Sequence, residues 1–337
     1  VSVDDRIEKA LQKLKLNRFS PYPTMRSGWA QTIMGFYLPF LKAQKPTAIH
    51  TVSLDDGDQL LVMENRPKDW KPGNRVVLLV HGLTGCYQSN YMQRMARRLS
   101  RRGALVLRLN LRSAGPGLGL ARKNYHGGSS EDTRAVLKWI EKIYPGSPVT
   151  QVGFSLGANI TLKMAGEDGS HPTGALDSIV AISPPLDLKE SVRRIDSRES
   201  AIFRKFFIKY LVKDVKKLHK KFPELGPILV NKDMSLALFD EIFTAPRAGF
   251  NSPEEYYKEC SSAKFIPEIK IPGLIIGAGD DPIAHSEALL QTPLRDNLDL
   301  ILTKHGGHMG FLGFGTKWEE VRWADQAIAQ WIENFLR

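Results

Sequence analysis

Cysteine is nearly missing from this chain: only Cys86 and Cys260 occur in 337 residues, with no Cys-x-x-Cys spacing. That excludes a disulfide framework and a cysteine-rich zinc centre, and it suits a reducing, cytoplasmic compartment. Long apolar runs are missing too. The most apolar early segment, residues 33–41, is interrupted by Pro39 and falls well short of the roughly 18 residues that a membrane-crossing helix needs. The opening VSVDDRIEKALQKLKL lacks the apolar core of a secretory signal. Its acids precede its lysines and Ile7, Leu11 and Leu14 share a face, which predicts an amphipathic helix with charges matched to its dipole. Acid is in deficit, with 36 Asp and Glu against 47 Lys and Arg, a net charge of +11. Such a surplus suits nucleic acid, an anionic membrane surface or solubility alone. Apolar residues at 42% and charged residues at 25% are the proportions of a globular protein with ample core.

What is present falls into an ordered series. TAIHTVSL and QLLVMEN flank Asp55-Asp56-Gly57-Asp58, which reads as a hairpin. In RVVLLV (75–80) the run after Arg75 is continuously apolar, as a strand buried on both faces must be. Then come a helix closed by Gly103, strand ALVLRLN, helix EDTRAVLKWIEKIY, strand VTQVGF, helix LGANITLKMAGE and strand SIVAISP. After residues 187–265, which carry helical but no strand signals, GLIIGA (273–278), a short helix, LDLILT (298–303) and a long terminal helix over 316–337 follow. Alternating strands and helices predict an α/β fold with a mostly parallel sheet and helices on both faces. No repeat or low-complexity segment occurs.

Gly153-Phe154-Ser155-Leu156-Gly157 sits at the join of strand VTQVGF and helix LGANITLKMAGE with no spare residues. A nucleophilic serine needs that strand–turn–helix context, small neighbours and a helix N-terminus facing the developing negative charge. It also needs a base and an orienting acid, in the chain order Ser, acid, His, each just after a later strand. GLIIGA runs into Gly279-Asp280-Asp281-Pro282, and LDLILT into Lys304-His305-Gly306-Gly307-His308. The two glycines favour His308 over His305, because they allow a tight loop back over the sheet edge. The adjacent aspartates leave the acid open between Asp280 and Asp281. HGLTG (81–85), following RVVLLV, is where this architecture puts an oxyanion loop, so the backbone N–H groups of Leu83 and Leu156 are the expected donors. No metal or cofactor motif competes for these residues, and none is expected.

Together HGLTG, YHGGSSED, GFSLGAN, GAGDDPIA and GGHMGFLG, with GWAQTIMGFYLPF near the start and FDEIFTAPRAGFNSPEEYYKECS in the insertion, resemble the alpha/beta-hydrolases, and more narrowly the YheT-like hydrolases. The resemblance covers nearly the whole chain. It implies Ser155 as nucleophile, His308 as base and Asp280 as acid, with Asp281 a turn residue before Pro282. It implies a serine carboxylesterase acting on short- to medium-chain acyl esters. Acyl transfer to an alcohol and lipase or phospholipase activity are the alternatives with the same residues, and a catalytically idle lipid-binding protein is the alternative from another class. One departure is Arg112-Ser113, where such proteins usually have Arg-Gly, which bears on substrate preference. The expected organisation is a helical arm (1–45) packed on the core, a core of 46–186 and 266–337, and a helical cap insertion (187–265).

Residues 204–221 hold eight Lys or Arg and one Asp, net +7. Phe203, Phe207, Leu211, Val215, Leu218 and Phe222 recur at helical spacing. Such a helix suits peripheral contact with an anionic membrane through 204–222; the plainer reading is a cap helix with its stripe on the protein and its lysines in water. Nucleic acid is not an expected partner, because the aromatics follow the apolar stripe and do not interleave with the lysines. Ser129 with Asp132 resembles a helix-capping pair, and His126 is a candidate for holding loops at the site. His50-x-x-x-x-Asp55 matches an acyltransferase-like spacing by chance, and Cys86 is either a pocket residue or a packing thiol.

Overall fold

The computed structural model describes residues 2–38, 44–314 and 321–336. Pro39 of the apolar early segment and residues 316–320 of the expected terminal helix lie outside the described residues.

Strands β1 (Ala48–Ser53), β2 (Gln59–Asn65), β3 (Val76–Val80), β4 (Leu105–Asn110), β5 (Val149–Phe154), β6 (Leu176–Ile182), β7 (Gly273–Ala278) and β8 (Leu298–Thr303) form one sheet. Its order is β1-β2-β4-β3-β5-β6-β7-β8. β1–β2 and β2–β4 pair antiparallel, and every pair from β4 to β8 is parallel. Helices α1 (Val3–Leu14) and α2 (Gly28–Tyr37) precede the sheet in the chain, and α11 (Ser286–Gln291) joins β7 to β8. Strand β3 shows why its sequence is apolar throughout: Val76, Leu78 and Val80 enter one buried cluster, while Val77 and Leu79 enter the other. The first cluster is covered by α4 (Ser130–Ile143) and α5 (Leu156–Asp168). The second is covered by α1, α3 (Asn90–Ser100) and α12 (Trp323–Glu333). Helix α1 is held by a Ser2/Asp5 capping box and buries Ile7, Leu11 and Leu14, the face expected from the sequence.

Between β6 and β7 the chain is helical: α6 (Leu188–Ile195), α7 (Ala201–Lys221), α8 (Leu236–Phe239), α9 (Ala245–Ala248) and α10 (Pro253–Cys260). These pack into a third cluster that includes Leu156, so the insertion sits on the residue after Ser155. On α7, Phe203, Val215 and Leu218 are buried, while Lys205, Lys209, Lys213, Lys216 and Lys217 are exposed. The apolar stripe read from the sequence packs on the protein. Among the described residues no helix is long and apolar enough to cross a membrane.

Candidate active site

Ser155 occupies the turn between β5 and α5 with φ 52° and ψ −119°. For a non-glycine residue that conformation costs on the order of 1–3 kcal/mol, and surrounding structure must hold it. The tightness of the turn explains both flanking glycines. A Cβ on Gly153 would stand 2.3 Å from the Gly157 carbonyl oxygen, and one on Gly157 would stand 2.4 Å from that of Val80. The strain lifts the hydroxyl above the sheet edge, where His308 Nε2 lies 2.8 Å from Oγ.

His308 Nδ1 faces Asp281, not Asp280, at 2.9 Å from Oδ2 and 3.1 Å from Oδ1. This overturns the pairing expected for Asp280. The Asp281 carboxylate is wholly buried and also accepts the N–H groups of Ile283 and Ala284, each at 2.8 Å. Pro282 has no N–H and starts the turn, so the next two N–H groups converge on the preceding carboxylate, as at a helix N-cap. Asp280 has a different task. Its Oδ1 accepts the Gly307 N–H at 2.9 Å, and its Oδ2 lies 3.4 Å from His305 Nδ1. A carboxylate at Nδ1 makes that nitrogen the N–H donor and leaves the Nε2 lone pair for the serine proton. The arrangement can therefore deprotonate Oγ and later return the proton.

The loop HGLTG (81–85), where the sequence leads one to expect the oxyanion donors, is held by two phenols that the sequence does not single out. Tyr91 Oη accepts the Gly82 N–H at 3.0 Å, and Tyr125 Oη accepts the Thr84 N–H at 2.7 Å. The intervening Leu83 N–H has no acceptor among the described residues, and Leu156 stands at the first position of α5, where N–H groups are free. Below the loop, His81 is fully buried; its Nδ1–H donates to the Gly82 carbonyl at 2.8 Å and its Nε2 accepts the Leu111 N–H at 3.1 Å. Tyr125→Phe leaves the Thr84 N–H unpaired and frees the loop to turn. The expected loss in kcat is about ten- to a hundredfold, below the roughly 10²–10³ for deleting an oxyanion donor. Steady-state kinetics, with affinity for a boronic acid falling in parallel, checks it.

Burial lowers the His81 pKa from 6.5 to about 4. Below pH 6.5 the unfolded chain takes up a proton that the folded chain refuses, so stability falls as pH drops from 6.5 towards 4. The loss is on the order of 3 kcal/mol for this one group. Melting temperatures between pH 7 and pH 4.5 are expected to fall less steeply in His81→Gln than in the unsubstituted protein.

Helix α2 completes the site from far away in the chain. Thr32 Oγ1 accepts the His308 N–H at 2.8 Å, and Gln31 bridges the same loop by donating to the Leu312 carbonyl and accepting its N–H. Ser113 has φ 57°, a backbone position that suits the glycine usual there, and its hydroxyl faces the carbonyls of Ala121 and Lys123 at 3.1 and 3.0 Å. Its neighbour Arg112 binds Asp56, Asp58 and Asp132. Asp132 is thus not half of a cap with Ser129; the Ser129 Oγ accepts the His126 N–H instead. His126 Nδ1 accepts the Gly128 N–H, a local loop bond of the kind expected. His50 pairs with Glu64 and takes no part in the cavity, and Cys86 is not among the residues that line it.

A cavity opens on Ser155, Leu83 and Leu156, with walls formed by Phe207, Leu211, Phe239 and Phe243 of the insertion. Among the described residues no cluster of His, Cys, Asp and Glu could hold a metal ion.

A family model described as alpha/beta hydrolase fold matches residues 75–314, and the chain belongs to that family. The resemblance read from the motifs is borne out. Among its relatives, YheT of Escherichia coli (strain K12) is 27% identical over 290 residues, spanning 85% of this chain and 84% of YheT. Phospholipase ABHD3 of Mus musculus is 27% identical over 333 residues, spanning 94% of this chain and 78% of the phospholipase. Among solved structures, the esterase Pf2001 of Pyrococcus furiosus shares the fold, with a TM-score of 0.56 at 16% identity over 95% of this chain and 99% of that one.

Proposed function

We propose that the chain is a serine carboxylic ester hydrolase that works through an acyl-enzyme on Ser155, with His308 as general base and Asp281 as the orienting acid. The observation that carries this reading is the continuous relay of 2.8 Å from Ser155 Oγ to His308 Nε2 and 2.9 Å from His308 Nδ1 to Asp281. His308 takes the proton as Oγ attacks the ester carbonyl; the N–H groups of Leu83 and Leu156 receive the oxyanion; His308 then protonates the leaving alcohol, and water repeats the sequence. Residues 187–265 act as a cap, and its aromatic and aliphatic walls favour an acyl chain over a polar substrate. The phospholipase relative supports lipid esters as the wider substrate class.

Hydrolysis of p-nitrophenyl esters from acetate to palmitate, together with fluorophosphonate labelling, tests the proposal. Turnover and labelling that both vanish in Ser155→Ala are expected. Labelling without turnover of any ester favours the idle, lipid-binding alternative, and acyl transfer to an added alcohol in preference to water favours a transferase.

A further inference from the structure

Helix α7 presents three rows of side chains. One is buried in the insertion and one, Phe207 and Leu211, lines the cavity. The third, Ile202, Phe206 and Tyr210, runs at i, i+4, i+8 along the neighbouring outer face, so these two aromatics leave the stripe that the sequence suggested for all of them and stand among the lysines. Ile202 is 62% exposed, and Phe206 and Tyr210 are half-buried with their ring centroids 4.8 Å apart. Helix α2 extends this row. Trp29 stacks on Phe203 at 4.7 Å, and Phe36 meets Phe206 at 5.2 Å and Tyr37 at 5.1 Å. Phe36 and Tyr37 are 52% and 69% exposed. Lys205, Lys209 and Lys213 border the row, and the ammonium groups of Lys209 and Lys213 lie 5.8 and 5.9 Å from the Tyr210 ring. Among the described residues none of these three lysines forms a close ion pair, although the Asp214 carboxylate acts on Lys213 through space.

We propose that this α2–α7 face docks on an anionic lipid bilayer and sets the wall of the cavity beside it. Exposed Phe, Tyr and Ile in one row supply apolar surface for the headgroup boundary, where aromatic rings with a polar edge are stable. The flanking, exposed ammonium groups are drawn to the negative surface potential and have stems long enough to let the rings sink. A nucleic acid accounts for less of this, because Ile202, Phe36 and Tyr37 leave large apolar surface exposed beside the lysines. The proposal extends the ester-hydrolase reading but does not depend on turnover.

The test is cosedimentation of the full chain carrying Ser155→Ala, with vesicles of phosphatidylcholine alone or mixed with phosphatidylglycerol. Binding to the mixed vesicles is expected, weakening with salt, with little binding to the neutral ones. Two patch variants, Lys205→Gln with Lys209→Gln and Lys213→Gln, and Ile202→Ser with Tyr37→Ser, should each weaken it at least about tenfold. A control that removes equal charge elsewhere, Lys68→Gln with Lys71→Gln and Lys142→Gln, should cost less than about threefold. Melting temperatures verify that each variant is folded, and the lysine variant carries the test alone if the apolar one is not. No binding to mixed vesicles overturns the proposal. So does equal loss in patch and control variants, which would mean binding through net charge alone. A patch-dependent retention of RNA by a protein that ignores vesicles overturns it in favour of a nucleic-acid surface.

Discussion

Asp281→Asn is expected to lower kcat for p-nitrophenyl butyrate by about 10⁴-fold, the scale seen for the same change in a serine protease triad. Asp280→Asn should cost less than about tenfold. The contrast follows from hydrogen bonds. In the Asp281→Asn variant the amide oxygen can keep the N–H groups of Ile283 and Ala284, which both reach Asp281 Oδ1. The amide nitrogen then takes the place of Oδ2, facing His308 Nδ1. Donor would meet donor unless Nδ1 gives up its proton, which moves the N–H to Nε2 and removes the lone pair that Ser155 needs. Geometry survives while the tautomer is wrong, so the loss should appear in kcat with KM little changed. In the Asp280→Asn variant the amide oxygen can still accept the Gly307 N–H, and only the charge beside His305 is lost. Equal losses in the two variants would falsify the assignment of Asp281.

Ser155→Ala is expected to be larger still, on the order of 10⁶ in kcat, as for the nucleophile of a well-studied serine protease. The base and acid have no function without the hydroxyl, so combining this change with Asp281→Asn should add almost nothing. Stability should hardly move. Alanine meets the same φ of 52° as serine does, and the backbone N–H at position 155 still donates to the Ile182 carbonyl. Ser155→Gly, by contrast, relieves that strain and is expected to melt higher while equally inactive. Calorimetry beside single-turnover kinetics separates the two effects. A higher melting temperature in the inactive glycine variant would mean that the strain at Ser155 is held for reactivity, not for folding.

The strand run at 76–80, the glycines around Ser155 and the two glycines before His308 are local features, and the sequence alone determined what they would do. A strand buried on both faces must be apolar at every position, and a turn with carbonyl oxygens 2.3 and 2.4 Å from where a Cβ would be admits only glycine. These constraints act within a few residues, so they can be read in the order they are written. The choice between Asp280 and Asp281 is different. Neighbours at a strand end point in opposite directions, and which one turns inward depends on where the whole loop lies; the cue was Pro282, whose missing N–H aligns the next two on Asp281.

Thr32 lies 276 residues from His308, and Tyr91 and Tyr125 flank their loop from separate elements; no spacing in the chain encodes such meetings. Asp132 looked like a cap by local pattern until Arg112 claimed it, because a charge-assisted pair in a desolvated site outweighs a cap bond. For α7 the sequence determined that apolar residues recur at helical spacing among many lysines. Only tertiary packing decided which apolar row fills the insertion, which lines the cavity and which is left facing out beside α2, because helical periodicity defines faces but not what covers them.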